Sequence, residues 1–296
     1  MQANINMKIL VTGVKGQLGY DAVKELNRRG IDCRGVDVED FDLTDSVAVA
    51  EYIRNYAPDA VMHCAAYTAV DNAEDNRELC FAVNARGTEN IARVCKEIGA
   101  KLLYISTDYV FDGRGNAPFE TGDPVEPLNV YGASKLAGER AVMDICDKFF
   151  IVRTSWVFGI NGKNFVRTML RLGHERRELS VVDDQTGSPT YTFDLARLIA
   201  DMIITEKYGV YHATNEGFCS WHGFAREIFK KAGLHVRVNP VSSDTMSFKA
   251  RRPENSRLSK RTLADNGFEP LPPWQDALNR YLAEIFEKTI DKDSLR

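Results

Sequence analysis

The stretch Lys8-Ile9-Leu10-Val11-Thr12-Gly13-Val14-Lys15-Gly16-Gln17-Leu18-Gly19 decides the fold. A short β-favouring run enters a turn with three glycines and leaves it through the amphipathic segment YDAVKELNRRG at 20–30. A strand, a tight turn and a helix N-terminus in succession aim free backbone N–H groups and the positive end of the helix dipole at one point, which suits a pyrophosphate. Gly13, Gly16 and Gly19 let backbone approach phosphate oxygens with no Cβ in the way, and Gln17 and Leu18 belong to the same turn. The spacing is G-x-x-G-x-x-G, not the G-x-G-x-x-G of the older dinucleotide fold.

Outward from this turn, short apolar runs alternate with segments of helical period. KILVT at 8–12 is followed by CRGVD at 33–37, AVMHCAA at 60–66, KLLYIS at 101–106 and FFIVRTS at 149–155. Between them, Asp45-Ser46 opens one helix, and a long helix is expected from Arg77 to Ile98, stopped by Gly99. Alternation of this kind predicts an α/β fold, a Rossmann-like doubly wound parallel sheet with helices on both faces. Beyond residue 156 the pattern loosens, with helices expected near 163–177, 192–205, 221–232 and 274–288. We read a dinucleotide-binding domain over 1–155 and a smaller C-terminal substrate-binding lobe over 156–296, interleaved with it, because no Pro-rich linker or repeat separates them.

Asp37 ends the second strand about 20 residues past the turn, where a carboxylate accepts hydrogen bonds from both ribose hydroxyls of an adenosine. It would repel a 2'-phosphate and so points to NADH, while nearby Lys15 and Arg34 would neutralise one. NADH and NADPH both stay open.

Tyr131 and Lys135 stand one helical turn apart on one face. The same spacing recurs at Tyr20 and Lys24. Position separates the two pairs, since Tyr20 lies in the helix leaving the glycine turn, whereas Tyr131 opens a helix after the fourth strand. That strand ends at Ser106-Thr107-Asp108, at the carboxyl edge where open α/β sheets bind ligands. There the hydroxyl of Thr107, the phenol of Tyr131 and the ammonium of Lys135 can converge on one carbonyl oxygen. The ammonium, together with a nicotinamide cation, is expected to pull the phenol below its ordinary value near 10.

With 296 residues, 44% of them hydrophobic, the chain can bury a large core. A formal net charge of −4 with no long basic run gives no grip on nucleic acid or an anionic membrane. The six cysteines lack any C-x-x-C pair and read as reduced core residues, and the five histidines lack H-E-x-x-H spacing, so no metal is required. The N-terminal MQANINMKIL has no leader pattern and no segment approaches 18 uncharged apolar residues, so a cytoplasmic protein is expected.

With these residues in view, the chain resembles the extended short-chain dehydrogenase/reductases and, within them, the dTDP-4-dehydrorhamnose reductase family. The likeness covers nearly the whole chain. It rests on LVTGVKGQLG, AAYTAVDNAE at 65–74, STDYVFDG at 106–113, YGASKLAGE at 131–139, RTSWVFG at 153–159 and DQTGSPTYTFDLA at 184–196. The resemblance implies hydride reduction of the 4-keto group of dTDP-4-dehydro-6-deoxy-L-mannose to dTDP-L-rhamnose, with NADPH or NADH as cofactor and a dTDP-sugar as partner. By it, Tyr131 donates a proton, Thr107 steadies the same oxygen, and Lys135 tunes Tyr131 and holds the nicotinamide ribose. Asp42, Leu43, Ala65, Ala66 and Tyr67 would flank the cofactor, and Asn84 would support the lysine. Thr107, Asp108 and Trp156 would contact the sugar nucleotide, with Asn164 and Gln185 as neighbours and Arg251 and Arg252 toward its diphosphate. Some members are magnesium-bridged dimers that use clustered glutamates. One matching position here is Asp21, which leaves both a magnesium ion and the choice of monomer or homodimer open. Dehydratases on this scaffold carry a second carboxylate after the aspartate, where this chain has Tyr109. Epimerases, and a non-catalytic regulator like the methionine adenosyltransferase regulatory subunit, are the remaining alternatives; retention of Thr107, Tyr131 and Lys135 favours an enzyme.

Overall fold

The computed structural model describes residues 7–294; residues 1–6, on which part of the expectation of no leader falls, lie outside the described residues. The five expected strands form as β1 (Lys8–Thr12), β2 (Asp32–Val36), β3 (Ala60–His63), β4 (Lys101–Thr107) and β5 (Phe149–Thr154). Four short strands follow, β6 (Val157–Phe158), β7 (Glu178–Val182), β8 (Thr186–Gly187) and β9 (Thr190–Tyr191), and then β10 (Gly209–His212). The main sheet has the order β10-β5-β4-β3-β1-β2, and every pairing in it is parallel. Its sixth strand therefore comes from the second half of the chain, beside β5.

Both faces of the sheet are covered, which is why the inner strands β1, β3, β4 and β5 read as largely apolar runs, while the edge strand β2 does not. Ile9 and Val11 point to one side, where Leu18, Ala22 and Leu26 of α1 (Gln17–Arg28) and Leu195 and Ile199 of the 192–203 helix pack on them. Leu10 points to the other, under Val49 and Ile53 of α2 (Ser46–Tyr56) and the helices that follow β3 and β4. Each fully buried aliphatic side chain contributes about 1.5–3 kcal/mol.

The helix expected over 77–98 is continuous but not uniform. It runs as α4 (Arg77–Phe81), a π turn over Ala82–Gly87 and α5 (Thr88–Ile98), after a short α3 (Val70–Asp75), and ends at Gly99 in the left-handed region, φ +72°. A β-carbon on Gly87 would stand 2.9 Å from that of Leu43, so the wide turn lies close against the 42–43 loop. Further on come α6 (Val130–Ile145), whose first turn holds Tyr131, then α7 (Phe165–Glu175), α8 (Thr192–Ile203) and α9 (Trp221–Lys231), these three within two residues of their expected bounds, and α11 (Trp274–Ser294), which outruns its expected end, after α10 (Arg261–Asp265).

Candidate active site

Strand order reverses at β1, whose neighbours β3 and β2 lead away in opposite directions, and a crevice opens beyond the carboxyl ends of the strands there. The cavity has a volume of about 880 Å³ and runs from Asp37 and Asp42 at one end to Trp156 and Trp221 at the other.

The glycine turn forms its floor. Gly13 has φ +73°, and a β-carbon there would lie 2.6 Å from the Ala65 backbone; one on Gly19 would lie 2.3 Å from the Gly13 carbonyl oxygen. The turn thus locks β1, β3 and α1 together at van der Waals distance. α1 starts at Gly16, which offers no side-chain cap, so first-turn amides of Gln17 and Leu18 are left for a ligand. Gly16, Gln17, Leu18, Ala65 and Ala66 all line the cavity. These residues fit a dinucleotide: an uncapped helix N-terminus, a glycine cradle and a long cavity lie in one line.

At the adenosine end, both oxygens of the Asp37 carboxylate accept backbone N–H groups, from Lys15 at 2.8 Å and Val38 at 2.9 Å. Lys15 lines the cavity, and its ammonium pairs with Glu39. Arg34, expected as a second neutralising cation, instead lies over the Tyr56 ring at 4.6 Å. Asp42 and Leu43 line the same wall. Asp42 accepts from the amide and hydroxyl of Thr44, each at 2.8 Å, and Leu43 gives its carbonyl to Asn90 at 2.9 Å.

Thr107, Asp108, Tyr131 and Lys135 meet in the middle of the cavity. β4 carries Thr107 to the sheet edge. Asn129 caps α6, accepting from Gly132 N at 2.8 Å, and so sets Tyr131 in its first turn. The Lys135 ammonium sits 4.0 Å over the Tyr104 ring, and burial lowers it to about 7 against the opposing pull of Glu139. Burial, then the charge of Asp108, raise the Tyr131 phenol, while hydrogen bonding to Thr107 opposes them. Desolvation thus raises the phenol where the charge of Lys135 was expected to lower it. Asn84, in the π turn, does not line the cavity. It accepts from Tyr67 N at 2.7 Å and donates to Tyr67 O at 3.0 Å and to the Ser134 hydroxyl at 2.9 Å, tying the 65–67 loop to α6. The π turn that aims Asn84 there has no signature in the sequence.

Trp156 holds φ +50°, a strained value for an aromatic residue, and its ring stacks on Trp221 at 3.7 Å. Trp221 was not among the expected site residues; its place in a helical period hid it among core positions. Asn164, Gln185, Arg251 and Arg252 do not line the cavity. Asn164 caps α7 and donates to Gln17 Oε1 at 3.1 Å, joining the second half of the chain to the glycine turn. Gln185 is buried and donates to Ser243 at 2.8 Å. Arg252 grips Asp71 through both terminal nitrogens, at 3.1 and 2.8 Å, and lies over Phe248, which takes its fork away from a diphosphate. Arg251 is exposed, and its carbonyl accepts from Asn129. Asp21 is buried and accepts from Thr192 at 2.5 Å, and among the described residues no group of three or more His, Cys, Asp or Glu side chains is placed to hold a metal ion. The six cysteines are free, and among the described residues no helix is long and apolar enough to cross a membrane.

A parallel sheet with this strand order, a G-x-x-G-x-x-G turn and a Thr-Tyr-Lys cluster at its carboxyl edge define the class, the extended short-chain dehydrogenase/reductases. A family model described as RmlD substrate binding domain matches residues 7–286. The chain belongs to that family, alongside the dTDP-4-dehydrorhamnose reductases. It is 44% identical to the Mycobacterium tuberculosis dTDP-4-dehydrorhamnose reductase, covering 93% of this chain and 92% of that one. It is 39% identical to the spore coat polysaccharide biosynthesis protein SpsK of Bacillus subtilis, covering 94% and 97%. Among solved structures, the Bacillus anthracis dTDP-4-dehydrorhamnose reductase in complex with NADP superposes with a TM-score of 0.92 at 44% identity, covering 95% of this chain and 100% of that one. A Thermus thermophilus UDP-glucose 4-epimerase, at 22% identity and a TM-score of 0.80, shares the fold.

Proposed function

We propose that this chain reduces the 4-keto group of dTDP-4-dehydro-6-deoxy-L-mannose to give dTDP-L-rhamnose, in the cytoplasm, with NADPH or NADH. The observation that carries this reading is the convergence of Thr107, Tyr131 and Lys135 in one cavity between the glycine turn and Trp156. Gly13, Gly16, Gln17, Leu18 and Gly19 hold the pyrophosphate, and Asp37, Asp42 and Leu43 the adenosine. Ala65 and Ala66 form the middle wall, and Tyr67, which does not line the cavity, is held behind them through its backbone by Asn84. A bound reduced nicotinamide dinucleotide supplies the hydride.

The residues of the chain handle the proton. Burial keeps Tyr131 a neutral phenol at neutral pH, which is the state needed to donate to an oxygen as it becomes an alkoxide. Thr107 sits on the same oxygen. Lys135, a buried cation beside it, stabilises the phenolate left behind and orients the ribose. Trp156 and Trp221 make an aromatic wall for the sugar nucleotide. Arg251, unlike Arg252, has a guanidinium with no ion-pair partner among the described residues and is the better of the two for the diphosphate.

The test follows NADPH and NADH oxidation with dTDP-4-dehydro-6-deoxy-L-mannose, with dTDP-glucose as control. Stoichiometric oxidation with the keto sugar alone supports the reading. Silence with both cofactors overturns it in favour of a regulator, and turnover without net oxidation overturns it in favour of an epimerase.

A further inference from the structure

Thr107 has one hydroxyl proton, and its Oγ1 lies 2.9 Å from Asp108 Oδ1, where an ionised carboxylate takes that proton. The same Oγ1 accepts from Tyr109 N at 3.3 Å. With its proton on Asp108, Thr107 turns only a lone pair to the cavity, and a lone pair repels the developing alkoxide that Thr107 is there to steady. A carboxylate only accepts, so the conflict persists for as long as Asp108 is ionised. A protonated carboxyl removes it: Asp108 then donates to Thr107, and the Thr107 proton is free for the substrate oxygen.

We infer that Asp108 is a positioning residue that must be protonated for the reduction, because its proton alone sets Thr107 as a donor to the substrate oxygen.

The surroundings favour the neutral form. Asp108 is 3% exposed, has no ion-pair partner among the described residues, and its Oδ2 is buried without a hydrogen-bond partner. The groups facing it are Tyr131 of α6, Tyr109 beside it in the chain, and the hydroxyl of Ser256 from the 255–256 strand. The Arg252–Asp71 pair lies behind Tyr109 and is internally neutralised, and Lys135 lines the same cavity. Burial lifts the carboxyl to about 6, with the hydroxyls of Ser256 and Thr107 and the backbone amides of Asp108 and Tyr109 opposing. The pair differs from an ordinary Asx-type contact in that the partner of the carboxylate is itself a reacting group. The cycle balances: the hydride and the Tyr131 proton go to the ketone, solvent returns a proton to Tyr131 after the alcohol leaves, and the Asp108 proton stays on the Asp108–Thr107 pair throughout.

The inference rests on the reductase reading for its kinetic arm alone. That arm measures the hydride-transfer rate against pH, with deuterated cofactor to confirm that chemistry is being observed. In the unsubstituted protein the rate falls as pH rises past about 6, approaching tenfold per unit. Asp108→Asn, whose amide donates to Thr107 at every pH, shifts this falling limb upward by one unit or more, to the limb left by Lys135. Ser256→Ala, which removes a hydroxyl that faces the carboxyl and favours its ionised form, also shifts it upward. The second arm needs no substrate: the infrared band of a protonated carboxyl, present at pH 5 and lost in Asp108→Asn, titrates near 6 in the protein with cofactor bound. A limb at the same pH in both variants, or a carboxyl fully ionised at pH 5, overturns the inference while leaving the reductase standing. Absence of turnover at every pH instead defeats the reductase reading, and the infrared arm still decides the state of Asp108.

Discussion

Replacing Tyr131 by Phe removes one hydroxyl and little else. The ring packs beside Ala73, Cys80 and Val130 together with Tyr67 and Phe81, and meets Tyr109 edge-on with centroids 5.8 Å apart. These contacts are made by ring carbons that phenylalanine retains. The protein partner of the phenol oxygen is the Thr107 hydroxyl, and loss of one such hydrogen bond costs about 1 kcal/mol of stability. Catalysis loses its proton donor. General acids contribute roughly 10²–10⁴ in rate, or about 2.7–5.5 kcal/mol of barrier, and no other side chain at the cluster replaces the phenol, because Lys135 lies over Tyr104, Thr107 would yield an alkoxide and the Asp108 proton is held on Thr107. The expected outcome is a hydride-transfer rate at least about a hundredfold lower in a stopped-flow single turnover, with cofactor affinity and melting temperature close to those of the parent. Retention of a tenth or more of the rate would falsify the assignment of Tyr131. A large fall in cofactor affinity would show instead that the phenol serves binding.

Three further outcomes are expected. Gly138→Ala places a β-carbon 2.4 Å from the Tyr104 hydroxyl and 2.5 Å from the Asn84 carbonyl oxygen, so α6 must move off the sheet. Overpacking of this kind costs about 1–3 kcal/mol, and a melting curve that does not fall by several degrees would contradict it. His63 is buried between Thr12 at 2.8 Å and Thr88 at 3.1 Å. Because Thr88 gives its proton to Asn84 O, the ring donates from Nε2 and accepts at Nδ1, the neutral form. Burial lowers both His63 and His212 from 6.5 to about 3, so the unfolded chain binds these protons first. Stability is then fully present above about 6.5 and is lost as pH falls from there toward 3. Denaturant midpoints that stay constant between pH 7 and 5 would refute this. Glu39→Gln frees the Lys15 ammonium for a 2'-phosphate, so cofactor titrations should show NADPH binding severalfold more tightly and NADH unchanged, an effect that salt erodes because the pair is exposed. Equal shifts for both cofactors would mean that Lys15 does not read the ribose.

What was legible in the sequence is what short-range chemistry dictates. Three glycines after an apolar run require a tight turn and a close approach, and the turn forms at Gly13 against Ala65. The strand ends that carry Asp37 and Thr107 follow from apolar runs meeting polar residues, and the α6 pair follows from helical spacing. The decoy pair separates on position as well: Tyr20 is partly exposed on α1, Lys24 lies over its ring, and neither lines the crevice.

Features set by long-range partners were not legible. The four residues of β10 are too short to announce a place in the main sheet, which only pairing with β5 confers. Arg252 has the right chemistry for a diphosphate, but a carboxylate 181 positions away in sequence already occupies its fork. Arg34 is likewise drawn to an aromatic ring of α2. Trp221 becomes part of the site only because Trp156 adopts a strained backbone and meets it face to face.

The sequence by itself determined the parallel α/β scaffold, the phosphate-binding turn and the Tyr131–Lys135 pair, since each is specified by residues a few positions apart, and it set Thr107 at the end of the strand that precedes that pair. Tertiary structure alone decided the protonation of the cluster these residues form. Burial raises Tyr131 and Asp108 and lowers Lys135, against the direction their charges suggest from sequence, because desolvation depends on what the whole fold packs around them.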